Sequence, residues 1–444
     1  MKSINLFFDK LTLISEKRFL TVTLLIAFLI RLLWILAFNP LPLDDFLFYY
    51  TEAKRISDGL GYTLKNGTPT AFFPVGYPAF LGLLFYLFSS SLFIAKLANV
   101  LLSVGCIYFF YKILKCLGYQ NIIIRVSIII LLFYPNQIGY TSLTSDTVLF
   151  QTLFYLSLLS LIYAFNRFTI KWFIISGIFC GLMILTRPYG IILPLLVSIY
   201  FIIKQNNFIK SAKHSLILFL FLIITILPWT IRNYHVFDNF VFISTNGGVD
   251  LYIGNNPNSI GTFSWSFLNK EIIHQVENSG KEDVADKIYR RYAVDYIIHN
   301  PVKVLSRIPK KIFWMFAEDR DSYAQNINGI NYSDSGNTLS YKEKGKGSLF
   351  IKKTAAYWIF MGLFQLYYMI IIYGFLMYLI FSVYYKKLKD GDRLFLFIIA
   401  YFLLLAIVFF GDPRFHYPII PILVLFFVQY IFRIRNKNYK VITG

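Results

Sequence analysis

Ten stretches of mostly apolar residues punctuate the chain, at 19–38, 92–114, 122–138, 146–165, 172–187, 188–203, 214–230, 355–385, 394–410 and 417–432. Crossing hydrocarbon takes about 20 such residues per helix, because the backbone must satisfy its own hydrogen bonds where there is no water. The pattern therefore predicts a bundle of about ten spans. "LFYPNQ" breaks the third, and "LTRPYG" either separates two half-length pieces or bends one span. Residues 77–88, which include Pro78, are apolar but too short to cross, and read as a helix at or dipping into the membrane surface.

Three parts follow: a first membrane block over 1–230 whose first loop, 39–78, is acidic and aromatic; an outer-face segment over 231–353; and a closing membrane block over 354–444. Within the middle part, "FVFISTNGGVDLYI" (240–253) pairs two β-rich runs around Asn-Gly-Gly and predicts a hairpin-like turn. Residues 282–299 predict a helix, with Glu282, Asp283 and Asp286 early and Pro301 just beyond. The run 302–317 mixes Lys and Arg with Ile, Phe and Trp, as an interfacial helix does, and 321–348 reads as a polar loop. The expected fold class is an all-α polytopic membrane protein with a small mixed α/β outer-face segment.

Composition agrees, at 57% hydrophobic and 15% charged residues. The net charge of +20 would suggest nucleic acid in a soluble chain, but it is partitioned by the spans. With the N-terminus inside, alternate segments carry twenty Lys and Arg on the inner side and five in the short outer loops (Lys54, Arg55, Lys65, Arg187, Arg414). This expects both termini in the cytoplasm, a cytoplasmic (inner) membrane location, and the loop 39–78 on the periplasmic or extracellular side. Cys106, Cys116 and Cys180 have neither disulfide nor metal spacing, and no cleavable signal peptide is evident.

Against this background "LPLDDFLFYY" (41–50) stands out, because it sets Asp44 and Asp45 at the apolar boundary. On a helix starting near Asp44, the residues Asp45, Tyr49, Ala53 and Ile56 share one face. The plain reading is a cap and a dipole partner. The alternative is a general base sharpened by partial burial. Asp146, heading the fourth span, carries the same ambiguity between N-cap and site acid. Arg187, Arg232 and Arg414 with His416 lie at outer span ends against the positive-inside trend, either snorkelling to headgroups or gathering an anion. Gly247, Gly248 and Gly254, with Asn255 and Asn256, either make a tight turn or let backbone amides approach a ligand. The acids show no metal-site spacing, so no cofactor or metal is expected.

These residues resemble a known group. "LDDFLFYYTEAKRISDGLGY" followed by "TPTAFFPVGYP" is similar to the first outer loop of the GT-C superfamily of membrane glycosyltransferases, which includes protein O-mannosyltransferases and lipid A aminoarabinose transferases. Asp45, Tyr49, Ala53, Gly59, Gly61 and Tyr62 fall in that loop's register; Phe46 stands where an acid is common, and Asp44 supplies one earlier. "SGIFCGLMILTRPYG", "LPWTIRNYHVFDNFVFISTNGGVDLYIGNNPNSIG" and "GDPRFHYPIIPIL" extend the resemblance to Leu423. It implies transfer of a sugar from a polyprenyl (undecaprenyl) phosphate to an outer-face glycolipid, polysaccharide or protein, by inverting displacement, with no nucleic acid involved. Asp45 is the favoured base, with Asp44 and Asp146 as the other acids. Arg414, then Arg187 and Arg232, with His416 and Tyr49, are the residues expected around the lipid phosphate. An O-antigen polymerase or ligase and a lipid-linked sugar flippase are the alternative readings. The first would not require an acidic pair after the first span, and the second expects ionisable groups deep in several spans.

Overall fold

The computed structural model describes residues 10–205, 208–264, 269–334, 355–385 and 388–442, and every apolar run coincides with helix. Helix α1 (Glu16–Ala37) begins at Ser15, whose hydroxyl accepts from the Arg18 N–H. Two helices in the first loop, α2 (Asp44–Ser57) and α3 (Gly76–Leu87), pack on each other. Then come α4 (Leu92–Cys116), α5 (Asn121–Leu132) and α6 (Pro135–Gly139). The chain turns by 52° between α5 and the segment starting at Pro135, where proline has no N–H to extend the helix. Next are α7 (Asp146–Arg167), α8 (Ile170–Thr186), α9 (Ile192–Lys204) and α10 (Phe208–Phe237).

Among the described residues seven helices are long and apolar enough to cross a membrane, and the bent pair makes an eighth. The remaining two of the ten expected are the shorter segments on either side of "LTRPYG". Hydrogen bonds decide how they run. Arg187 pairs with Asp146 at one end of α7, while Gln205 Nε2 donates to the Phe165 carbonyl (3.1 Å) near the other. Both α8 and α9 therefore traverse the height of α7 in opposite directions, and "LTRPYG" is the turn between them, not a bend in one span. Lys204 closes that far end against Asp390 at 2.9 Å. Gly177 and Gly181 let α8 lie directly on α10, where a Cβ would meet the Leu218 carbonyl or the Thr225 side chain.

The middle segment is helical: α11 (Gly247–Gly254), α12 (Lys270–Ser279), α13 (Glu282–His299), α14 (Pro301–Ser306), α15 (Ile308–Phe316) and α16 (Asp321–Asp334). The membrane block closes with α17 (Ala355–Tyr384), α18 (Asp390–Val408), α19 (Pro413–His416) and α20 (Ile420–Ile442). The described residues hold two isolated β-bridges and no strand, which corrects the expected α/β segment. In place of a hairpin at 240–253, side chains at the end of α10 satisfy the backbone. Trp229 and Asn233 donate to the Ile243 carbonyl and Thr230 to that of Phe242. Gly247 and Gly248 then open α11. The run 302–317 divides at Arg307 into α14 and α15, and 321–334 is helix where a loop was expected; residues 335–348 lie outside the described ones. Arg31 is fully buried among helices, donating to Ser103 Oγ at 2.8 Å.

Candidate active site

Pro40 and Pro42 separate α1 from α2, and α2 starts without a side-chain cap. Asp44 there takes a left-handed backbone (φ 47°), a conformation that aspartate tolerates better than most residues. The turn directs Asp45 into a cavity of about 200 Å3. Its wall also includes Tyr49, Asp146, Arg187, Tyr189, Asp250, Asp412 and Arg414, while Asp44 is absent from it. Of the two adjacent acids, backbone geometry thus brings Asp45 to the cavity.

Two arginines organise the charges. Arg187 meets Asp146 edge-on, Nε to Oδ2 at 2.8 Å and Nη2 to Oδ1 at 2.6 Å, and its remaining N–H groups reach Thr147 Oγ1 and Tyr189 OH, both at 2.7 Å. Ser145 caps α7 by accepting from the Thr147 N–H, which leaves Asp146 free for this pair. Arg414 is more open: Nε contacts Asp412 Oδ1 at 3.2 Å and Nη1 contacts Asp45 Oδ2 at 3.3 Å. Burial pushes the Asp45 carboxyl above the usual carboxylate range, against the pull of Arg414. Burial acts the same way on Asp412, but there Arg414 and its hydrogen bonds prevail and hold the group low. Asp250 is pushed up to about 7, mainly by burial.

Two expected phosphate ligands lie elsewhere. Arg232 donates to the carbonyls of Tyr62 (2.8 Å) and Thr70 (2.9 Å) and stacks over Trp229, so it pins the first loop to the end of α10. Glu282 grips the same loop through Thr70 Oγ1 (2.7 Å) and the Ala71 N–H (2.9 Å). His416 is fully buried behind Arg414, its ring stacked 5.0 Å from that of Tyr368. Its two ring nitrogens lie against the Met315 carbonyl and Asp319 Oδ1. Sequence reasoning missed Asp412 and Asp250, although both sit inside quoted segments. Asp412 had a signal: Asp-Pro-Arg places its carboxylate where it accepts from the Arg414 N–H at 2.7 Å.

A second, apolar cavity of about 690 Å3 adjoins the first. Val75, Gly76, Leu149, Leu153, Leu185 and Thr186 are among its lining residues, so Pro74/Val75 and Thr186/Arg187 are consecutive residues facing different cavities.

Residues 73–231 match the family described as dolichyl-phosphate-mannose-protein mannosyltransferase. The architecture is similar to that of the Archaeoglobus fulgidus oligosaccharyltransferase in the apo form, with a TM-score of 0.53 at 14% identity over 96% of this chain and 52% of that one. The fold is GT-C-like. The same oligosaccharyltransferase tethered with an acceptor peptide containing the NVT sequon gives 0.53 at 15% identity, over 95% of this chain and 50% of that one. The chain therefore spans about half the length of those structures. ArnT from Cupriavidus metallidurans, bound to undecaprenyl phosphate, gives a TM-score of 0.43 at 13% identity over 94% and 77% of the two chains. No curated protein sequence matches significantly. The expected resemblance is thus met at the level of fold.

Both oxygens of Asp146 are taken by Arg187, Asp412 by Arg414, and among the described residues no three His, Cys, Asp or Glu converge on a metal position.

Proposed function

We propose that this protein transfers a sugar from a polyprenyl phosphate to an acceptor at the outer face of the cytoplasmic membrane, with Asp45 as general base. The observation that carries the reading is the juxtaposition of the two cavities: a polar one with Asp45, Arg187 and Arg414, and an apolar one beside it at the height of the membrane helices. An amphiphile with a phosphate at the junction of a long apolar chain and a sugar matches both. The prenyl chain occupies the groove, the phosphate sits at Arg414 and Arg187, and the sugar fills the polar cavity. The acceptor O–H attacks the anomeric carbon while its proton passes to Asp45. The bond between that carbon and the phosphate oxygen breaks, and its electron pair leaves on the phosphate, stabilised by the guanidinium groups. As found, Arg414 holds Asp45; an arriving phosphate competes for the arginine and frees the carboxylate.

The test is release of polyprenyl phosphate by purified wild-type protein and Asp45→Asn, offered short-chain polyprenyl-phosphate hexoses and pentoses together with membrane extract as acceptor. Release by wild type, lowered about 10²- to 10⁴-fold in the variant, is the expected outcome. An Asp45→Asn protein as active as wild type removes Asp45 from the role.

A further inference from the structure

The cavity wall has two halves with different chemistry. One half, Asp45, Asp146, Arg187, Asp412 and Arg414, is bound up in ion pairs and adjoins the apolar groove. The other comes from one short segment of the helical lobe: Ser244, Asn246, Gly247 and Asp250. Among the described residues Asp250 makes no ion pair. Its Oδ2 accepts from Asn246 Nδ2 at 3.1 Å, and Asn246 Oδ1 accepts from Ser244 Oγ at 2.8 Å, so the carboxylate is oriented by a relay that leaves capacity on its other oxygen.

The segment is also held rigidly. The Gly248 N–H donates to Asp286 Oδ1, which Arg290 in turn anchors through Oδ2 at 2.7 Å. At the other end of α11, Asn255 Nδ2 donates to the Val408 carbonyl at 2.8 Å, and Gly254 lies so close to Phe409 that a Cβ would run into its carbonyl. Such a preorganised, half-buried carboxylate and amide facing a sugar-sized cavity is a hydroxyl-reading arrangement.

We propose that Asp250, oriented by Asn246, is a specificity-determining residue that hydrogen-bonds one hydroxyl of the donor sugar. The assignment rests on the donor reading above. With the phosphate at the arginines, the sugar is one bond away and must fill the remaining cavity, whose polar groups on the side facing away from the groove include these. A carboxyl raised to about 7 both accepts and donates near neutral pH, which suits a hydroxyl partner.

The experiment compares wild type and Asp250→Asn on the most active donor from the hexose and pentose panel and on each of its monodeoxy analogues, and measures binding of sugar-free undecaprenyl phosphate to both proteins. The expected result is a loss of about 10- to 100-fold in kcat/KM on the parent donor, as for a lost hydrogen bond to a charged group. That loss disappears on one monodeoxy analogue, while undecaprenyl phosphate binds both proteins alike. Asn246→Ala shows the same analogue dependence with a smaller loss. An equal loss on the parent and every analogue, or an equal loss of undecaprenyl phosphate binding, overturns the assignment alone. A wild type that neither binds undecaprenyl phosphate nor consumes any donor overturns the donor reading, and the assignment with it.

Discussion

Asp146 and Arg187 show how a single residue's role depends on what its neighbour leaves it. Both are almost fully buried, and each satisfies the other's charge. Removing one partner of such a pair strands the other, at a cost of about 3–5 kcal/mol. Asp146→Asn and Arg187→Gln are each expected to lower stability by that order in denaturant titrations. The double variant should recover much of the loss, because no bare charge remains, while sugar transfer stays impaired if Arg187 serves the phosphate. The sequence brought these two residues into the same list but could not pair them, since 41 positions separate them along the chain and only the antiparallel passage of α8 brings them together. Arg232 and His416 were legible as cations at span ends and illegible as to target. Whether such a side chain faces a cavity or a carbonyl is decided by packing, which local pattern does not encode.

At the level of elements, helices were readable because long apolar runs leave the backbone few alternatives. The Asn-Gly-Gly turn failed as a hairpin signal because its flanking carbonyls find side-chain donors on α10 and its second glycine, Gly248, serves close packing against Asp286 instead. Gly254 is the sharpest case. Replacing it with Ala forces α11 away from the end of α18, which should open the lobe that carries Asp250. Limited proteolysis of Gly254→Ala is expected to cut within 238–264 faster than in wild type, with sugar transfer lost. An equally resistant, equally active variant would show that the junction tolerates a shift. The apolar groove was not visible in the sequence at all, since its lining comes from four helices, one of them read as too short to cross, and their side-by-side packing is not encoded in local pattern.

For the whole molecule, the structure puts Asp45, Asp146, Arg187 and Arg414 together at one end and Lys204 with Asp390 at the other, and the distribution of Lys and Arg predicts that the first end faces outward. In intact cells of a Cys116→Ser background, cysteine placed at Lys65 should react with an impermeant maleimide and cysteine at Lys389 should not. The reverse pattern would invert the topology and with it the compartment of the reaction. Stability should also depend on pH in a particular direction. Asp250 and Asp321 are raised to about 7 and about 6, chiefly by burial, from an ordinary value near 3.9. A raised carboxyl stabilises the fold fully below its ordinary value and loses that contribution as pH rises through the folded one. The Tm is therefore expected to fall between pH 4 and 8, and Asp250→Asn should flatten the upper part of that decline.

The two passes flanking Arg187 have a bearing on the bilayer itself. Each is about 17 residues, near 25 Å of helix, against a hydrocarbon layer of about 30 Å. A deficit of this kind is met by thinning of the surrounding lipid. Leu182, Leu185 and Thr186 on the first of these passes line the apolar groove, so the dimple forms at the groove's edge. On the proposed donor reading, headgroups drawn down there toward Arg187 would let a lipid-borne phosphate reach the arginines by lateral diffusion at their own depth, without being lifted out of the leaflet.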